Sequence, residues 1–193
     1  MALTLCPKLI ADNISVNCDK PIFTGLENIA YIINKEDIDS IVHDATNDHI
    51  VKGITLKATA KAYKIYNPFK SPMNGTQSTL NAGDVSNKFD NAVGFIVPDD
   101  GPAVAKNIID PLANGEFVVI VANKWENTNS DNKFQIYGLH RGLRATALEN
   151  GKYSEETDGG HAVTLTETAA PSYGYYFFDN DVATSRAALE ALC

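Results

Sequence analysis

EFVVIVANKW, residues 116–125, is the most apolar strand-like run in a chain of 193 residues. Extended, it sends alternate side chains to opposite faces, so Phe117, Val119 and Val121 on one side are matched by Val118 and Ile120 on the other. An antiparallel strand that is apolar on both faces is covered on both, by a helix, a second sheet or another subunit. Trp125, at its end, belongs with that core or interfacial surface. The polar turn ENTNSDN (126–132) then leads into KFQIYGL (133–139), and the two runs read as a β-hairpin.

Working outward, KFDNAVGFIVP (88–98) is a strand that stops at Pro98. DDGPAVAKNIIDPLANG (99–115) reads as a helix, with acids at its positive end, Pro102 in the first turn and Gly115 at the stop. Its expected apolar stripe is Ala105, Ile108, Ile109 and Leu112, and Pro111 shortens or bends the last turn. Downstream, GLRATALENG (142–151) is a strand, KYSEETDGG a loop, and GHAVTLTE (160–167) alternates cleanly, with His161, Val163 and Leu165 on one face and Ala162, Thr164 and Thr166 on the other. SYGYYFF (172–178) is almost unbroken aromatic, and it too needs cover on two sides to avoid a large exposed apolar surface. The chain closes in a short amphipathic helix capped by Asp181 or Thr184.

Nearer the start, IAYIIN (29–34) and IDSIVHD (38–44) are short strands, and IVKGITLKATAKAYKIYN (50–67) reads as one longer strand. Residues 67–87 carry Pro68, Pro72, Gly75 and Gly83 among small polar residues and read as a long loop, and residues 1–28 as an N-terminal arm. About eight strands and two helices make a mainly β domain over 1–193, an antiparallel β-sandwich or barrel with a flanking α-helix and a short C-terminal helix.

Sixteen Lys plus Arg against 24 Asp plus Glu leave a formal charge of −8. That balance argues against a surface that grips nucleic-acid phosphate, although passive contact with a polyanion is compatible with it. No apolar run reaches the roughly 18 residues of a membrane span, and MALTLCPKLIADNISVNC has no basic leader, so a soluble protein of cytoplasmic origin without membrane contact is expected. Cys6, Cys18 and Cys193 form neither a disulfide framework nor a zinc pattern.

Three polar clusters have the residue types of a chemical site. HDATNDH (43–49) groups two His and two Asp at no established ligand spacing. DNDVATSRAALE (179–190) overlays a calcium loop through Asp179, Asp181 and Glu190, but has Ala183 and Thr184 where a ligand and a glycine belong. LHRGLRAT (139–146) gathers His140, Arg141 and Arg144 without a GxSxG or paired Cys/His nucleophile pattern. No catalytic residue, cofactor or metal is therefore expected. The apolar excess makes Tyr173, Tyr175, Phe177, Val119, Val121 and Trp125 the candidate oligomer interface.

The order of these segments resembles a tail tube protein of a tailed bacteriophage of Bacteroides-like hosts. The likeness runs over roughly 29–178 through IAYIINKED, GITLKATAKAYKIYNP, KFDNAVGFIVP with PAVAKNIIDPLANG, GEFVVIVANKW, YGLHRGLRAT and GGHAVTLTETAAPSYGYYFF. It implies a virion structural protein made in the host bacterial cytoplasm, whose copies form homo-oligomeric rings that stack into the tube through which DNA passes, beside other tail proteins. It also implies that loop 67–87 reaches to the next ring. A tail terminator, connector or tail ring protein is the near alternative. A monomeric β-sandwich holding a carbohydrate or other ligand with loop 67–87, Trp125, Tyr173 and Tyr175 is the second, and a hydrolase using His140 with a carboxylate is the third.

Overall fold

A computed structural model describes residue 10 and residues 12–193. Phe117–Asn123 is strand β7, and it lies near the middle of a seven-stranded sheet of order β2-β3-β11-β8-β7-β1-β4. The other members are β1 (Leu26–Asn34), β2 (Ile38–His43), β3 (Ile50–Leu56), β4 (Tyr63–Tyr66), β8 (Phe134–Tyr137) and β11 (Tyr175–Phe177). The second sheet has four strands, β5 (Met73–Asn81), β6 (Lys88–Val97), β10 (His161–Ala170) and β9 (Arg144–Asn150), in that order. The sequence-derived hairpin is present as antiparallel β7–β8, with Val119 opposite Tyr137 and Val121 opposite Gln135.

Both faces of β7 are covered by the same chain. Phe117, Val119 and Val121 pack with Val93, Phe95, Val163 and Leu165 of the second sheet. Val118, Ile120 and Ala122 pack with Phe134, Ile136, Phe177 and Leu189 on the far side. Leu189 belongs to the C-terminal helix α3 (Val182–Ala191), so the layers run second sheet, first sheet, helix. Each fully buried Val or Ile contributes about 1.5–3 kcal/mol from burial, which is why this run tolerates no polar residue.

The C-terminal helix is fixed chemically as well as by packing. Thr184 N–H donates to Asp181 Oδ1 at 2.7 Å, so Asp181 is the cap. Tyr31 Oη donates to Glu190 at 2.7 Å, Lys64 pairs with the same carboxylate, and Arg186 meets Glu27 at 2.9 Å while lying over the Phe134 ring.

The flanking helix follows Gly101 in three parts, α1 (Pro102–Val104), a π segment (Ala105–Ile109) and α2 (Asp110–Asn114). Pro111 has no N–H to give to the preceding turn, and Asp110 N–H reaches back five residues to Ala105 O. The wider turn rotates the helix. Its buried positions are Val104 and Leu112 with Ile109 partly buried, whereas Ala105 and Ile108 of the expected stripe face outward. At the stop, a Cβ on Gly115 would sit 2.5 Å from the Phe117 ring, so glycine is required by close approach.

Three expectations are corrected and one pair of runs is placed. Residues 67–87 are not one long loop: Met73–Asn81 is an edge strand paired along its length with β6. Residues 50–67 split into β3 and β4 around a turn in which Thr59 has φ 73°. GGHAVTLTE and SYGYYFF lie in different sheets, separated by the crossover at Pro171–Gly174. The first sheet is also not wholly antiparallel, because β11 runs parallel to β3 through Tyr176↔Ile50 and Phe177↔Val51.

Candidate functional site

The six candidate interface residues fall into three places. Val119, Val121 and Phe177 have 0, 0 and 1% of their surface exposed, so they have none left for a partner. Their second covering is the chain's own sheet or helix, which removes them from the interface. Trp125 and Tyr173 come together in a cleft of about 670 Å³ that Phe23, Tyr176, Asn74 and Gln135 also line. Tyr175 lies elsewhere, since alternation along β11 sends Tyr175 and Phe177 to the helix-covered face and Tyr176 to the cleft.

In the cleft, Gln135 Nε2 donates to Tyr173 Oη at 3.1 Å and the Tyr173 ring meets Phe89 edge-on at 6.4 Å. Burial, with the Tyr173 hydroxyl beside it, pushes Tyr176 up to about 12, so it stays a neutral donor. Trp125 Nε1 is buried without a hydrogen-bond partner. Aromatic rings and side-chain amides along the cleft can hold a flat or hydroxyl-bearing ligand.

Tyr175 sits among three of the four histidines of the chain. The rings of His43, His49 and His140 approach it edge-on at 5.6, 5.5 and 5.2 Å. His140 Nε2 lies 2.8 Å from Tyr175 Oη and 3.3 Å from Ser172 Oγ. Burial holds His140 below the usual imidazole range; Lys35, His43 and His49 push the same way, and Glu167 opposes them. The Glu167 carboxylate is already occupied, accepting from Arg141 N–H at 2.7 Å and Asn91 Nδ2 at 3.2 Å. His140 thus has a hydroxyl within reach, but among the described residues no carboxylate hydrogen-bonds to it. That arrangement lacks the third group that would orient a general base.

The other two clusters are occupied with local structure. Asp44 Oδ1 accepts from Thr46 and Asn47 N–H, and Lys52 with those amides holds its carboxyl down at about 2. Asp181 and Glu190 of the calcium-loop overlay stand at opposite ends of α3, one capping it and the other bound to Tyr31 and Lys64, so they cannot share an ion. Among the described residues, no group of three or more His, Cys, Asp or Glu side chains is arranged to hold a metal, and no helix is long and apolar enough to cross a membrane.

One broad surface was missed from sequence. The inner face of the second sheet is core, and its outer face presents Ala92, Gly94 and Ile96 of β6, Ala162, Thr164 and Thr166 of β10, and Gly75 and Gln77 of β5. The middle of that face carries no charge. Strands β5 and β9 close neither side of it and are the sheet's two edges. The signal was present in the alternation of HAVTLTE, whose outward positions are all small and neutral.

Comparison of the chain with protein-family models, with curated proteins and with solved structures gives no match.

Proposed function

We propose that this chain is a bacteriophage virion structural protein whose copies join into rings of the tail tube. The observation that supports this best is the four-stranded sheet, whose terminal strands β5 and β9 each pair on one side only and whose outer face is uncharged at its middle. Its strands alternate strictly in direction, β5 against β6, β6 against β10, β10 against β9. Because four is even, β9 of one copy meets β5 of the next antiparallel, and the alternation continues unbroken around a ring. Such a heterologous contact closes by rotation and satisfies the unpaired N–H and C=O groups that would otherwise invite uncontrolled pairing. A lumen lined at its middle by neutral side chains, on a chain of net charge −8, lets DNA slide without gripping it.

The test is negative-stain imaging with light scattering of wild type and of prolines placed singly at Gln77 and Ser78 in β5. Successive N–H groups on a strand point to opposite sides, so one proline removes a bond to β6 and the other removes only an outward donor. Rings are expected from wild type, and a folded but monomeric protein from the outward proline. Monomer for wild type at high concentration, with no ring or tube in particles, rejects the proposal.

A second reading rests on the aromatic cleft. Trp125, Tyr173 and Tyr176 with their amide neighbours suit a monomeric module that holds a carbohydrate. Under it, Trp125→Ala and Tyr173→Ala abolish binding in a glycan-array screen and leave the oligomeric state unchanged.

A further inference from the structure

The π segment Ala105–Ile109 turns Ile108 out of the buried stripe that an unbroken α-helix would give it and leaves it 40% exposed. Single π turns within helices are rare overall and recur at functional sites. Here the displaced turn borders a cleft of about 520 Å³ between the flanking helix, edge strand β4 and the end of β6. Ile108 and Leu112 line it from the helix, Ile32 and Ile65 from the first sheet, and Phe95 and Phe117 from beneath. Leu112, Phe95 and Phe117 belong to the core between the sheets, and Ile32 and Ile65 pack against it. The cleft therefore reaches into the sandwich rather than lying on its surface.

Its volume falls within the roughly 300–1,000 Å³ of small-molecule sites, which are likewise mostly apolar with a few polar groups that orient the ligand. An apolar lining gains by exchanging water for apolar surface, so the body of the ligand is a chain or ring system. Charge decides its head. Two charged residues belong to the lining, Lys64 and Asp99. Lys64 is paired with Glu190 of α3. Asp99 Oδ1 accepts only the neighbouring Asp100 N–H, at 2.8 Å, and among the described residues no cation pairs with its carboxylate. Tyr63 lines the same cleft, lies on the Ile65 face of β4 by alternation, and is more than half exposed. A carboxylate and a tyrosine ring beside an apolar cleft suit an ammonium group, and on a chain of net charge −8 they disfavour an acid head.

We infer that this cleft binds a small amphiphilic cation, an ammonium group carrying one alkyl chain or aromatic ring system. The apolar part lies between the helix and β4, over the Phe95 and Phe117 floor, and the ammonium meets Asp99 and Tyr63. The site is complete within one chain, so it stands or falls independently of ring formation.

The experiment titrates the full-length protein with the neutral fluorescent probe N-phenyl-1-naphthylamine. The probe is then displaced with decyltrimethylammonium or decanoate, equal in chain length and opposite in charge, both below their micelle concentrations. Saturable probe binding is expected, reversed by the cation at a concentration about fivefold or more below that of the anion. Ile108→Trp and Asn107→Trp put an indole into the cleft from two exposed positions, and each is expected to weaken probe binding about tenfold with the melting temperature little changed. Two positions are used so that the test survives if one variant folds poorly. Asp99→Asn is expected to narrow the difference between the two competitors to about twofold and to leave the neutral probe bound as before. Absence of saturable binding, or probe binding that survives in both folded Trp variants, overturns the inference. So does decanoate that competes as well as the cation, or a charge preference that persists in full in Asp99→Asn.

Discussion

Strands β7 and β10 are both interior strands, each hydrogen-bonded on two sides, β7 by β8 and β1, β10 by β6 and β9. Their sequences nevertheless differ in kind, FVVIVA against HAVTLTE. Backbone pairing is the same, so the difference comes from what lies above and below. β7 has the second sheet on one face and α3 on the other, while β10 has core on one face and half-exposed Ala162, Thr164 and Thr166 on the other. The lesson concerns assembly. An unbroken apolar run reports two covered faces, and here the chain provides both covers itself. The surface free for a partner is the one whose residues are small and neutral.

The largest effect that tests this comparison is a pair of truncations. Ile120→Ala in β7 is expected to cost about 2–5 kcal/mol, because the cavity lies between two packed layers. Thr164→Ala on the outer face of β10 is expected to cost less than about 1 kcal/mol, within the range of strand propensity. Urea midpoints measure both, and comparable losses would break the comparison. Next comes the polar part of the inner face. Glu167 is 2% exposed and accepts from Arg141 N–H and Asn91 Nδ2, so Glu167→Ala strands one buried and one part-buried donor. About 1–3 kcal/mol is expected, with only part of it restored in Glu167→Gln, whose single amide oxygen can accept one of the two bonds. Smaller again is the cap of the helix that covers β7. Asp181→Ala is expected to cost about 1 kcal/mol by calorimetry, and Asp181→Asn to recover most of it.

Much of this layout was legible in the sequence where a strand's pattern answers to a single neighbour. HAVTLTE gave the faces of β10 correctly, and the β7–β8 hairpin, the first helix and the Asp181 cap were readable from local chemistry. Met73–Asn81 was not, because an edge strand exposed over much of its length has little apolar periodicity, and Gly75 and the flanking prolines read as loop. The helix stripe was misplaced because Pro111 changes the turn from four residues to five, which periodicity alone does not register. Trp125 and Tyr173 line one cleft, but Tyr175 was grouped with them although one step of strand alternation sends it to the opposite face. The three histidines around Tyr175 come from segments nearly a hundred residues apart, and only the pairing of β11 with β3 and β8 brings them together.

That cluster supplies the smallest prediction and the sharpest one for the contact between the two sheets. His140 lies on the connection from β8 in one sheet to β9 in the other, touching Tyr175 of the first and sensing Glu167 of the second. Burial lowers its folded pKa below 6.5, so the unfolded chain binds the proton more readily. Its contribution to stability is therefore present above pH 6.5 and is lost as pH falls through the lowered folded value. Lys35, His43 and His49 deepen that loss by repelling the proton, and Glu167 moderates it. The carboxylates act at lower pH: burial works to raise Glu27, but Lys133 and Arg186 overcome it, and Lys64 with Tyr31 holds Glu190 down. Both carboxylates lose their contribution below their usual value of 4.5, leaving the interval from 6.5 down to 4.5 to His140. Melting temperature measured across that interval is expected to fall modestly in wild type and to flatten in His140→Asn, with an unchanged decline below pH 4.5. A variant that keeps the full slope would show that burial of His140 does not set it.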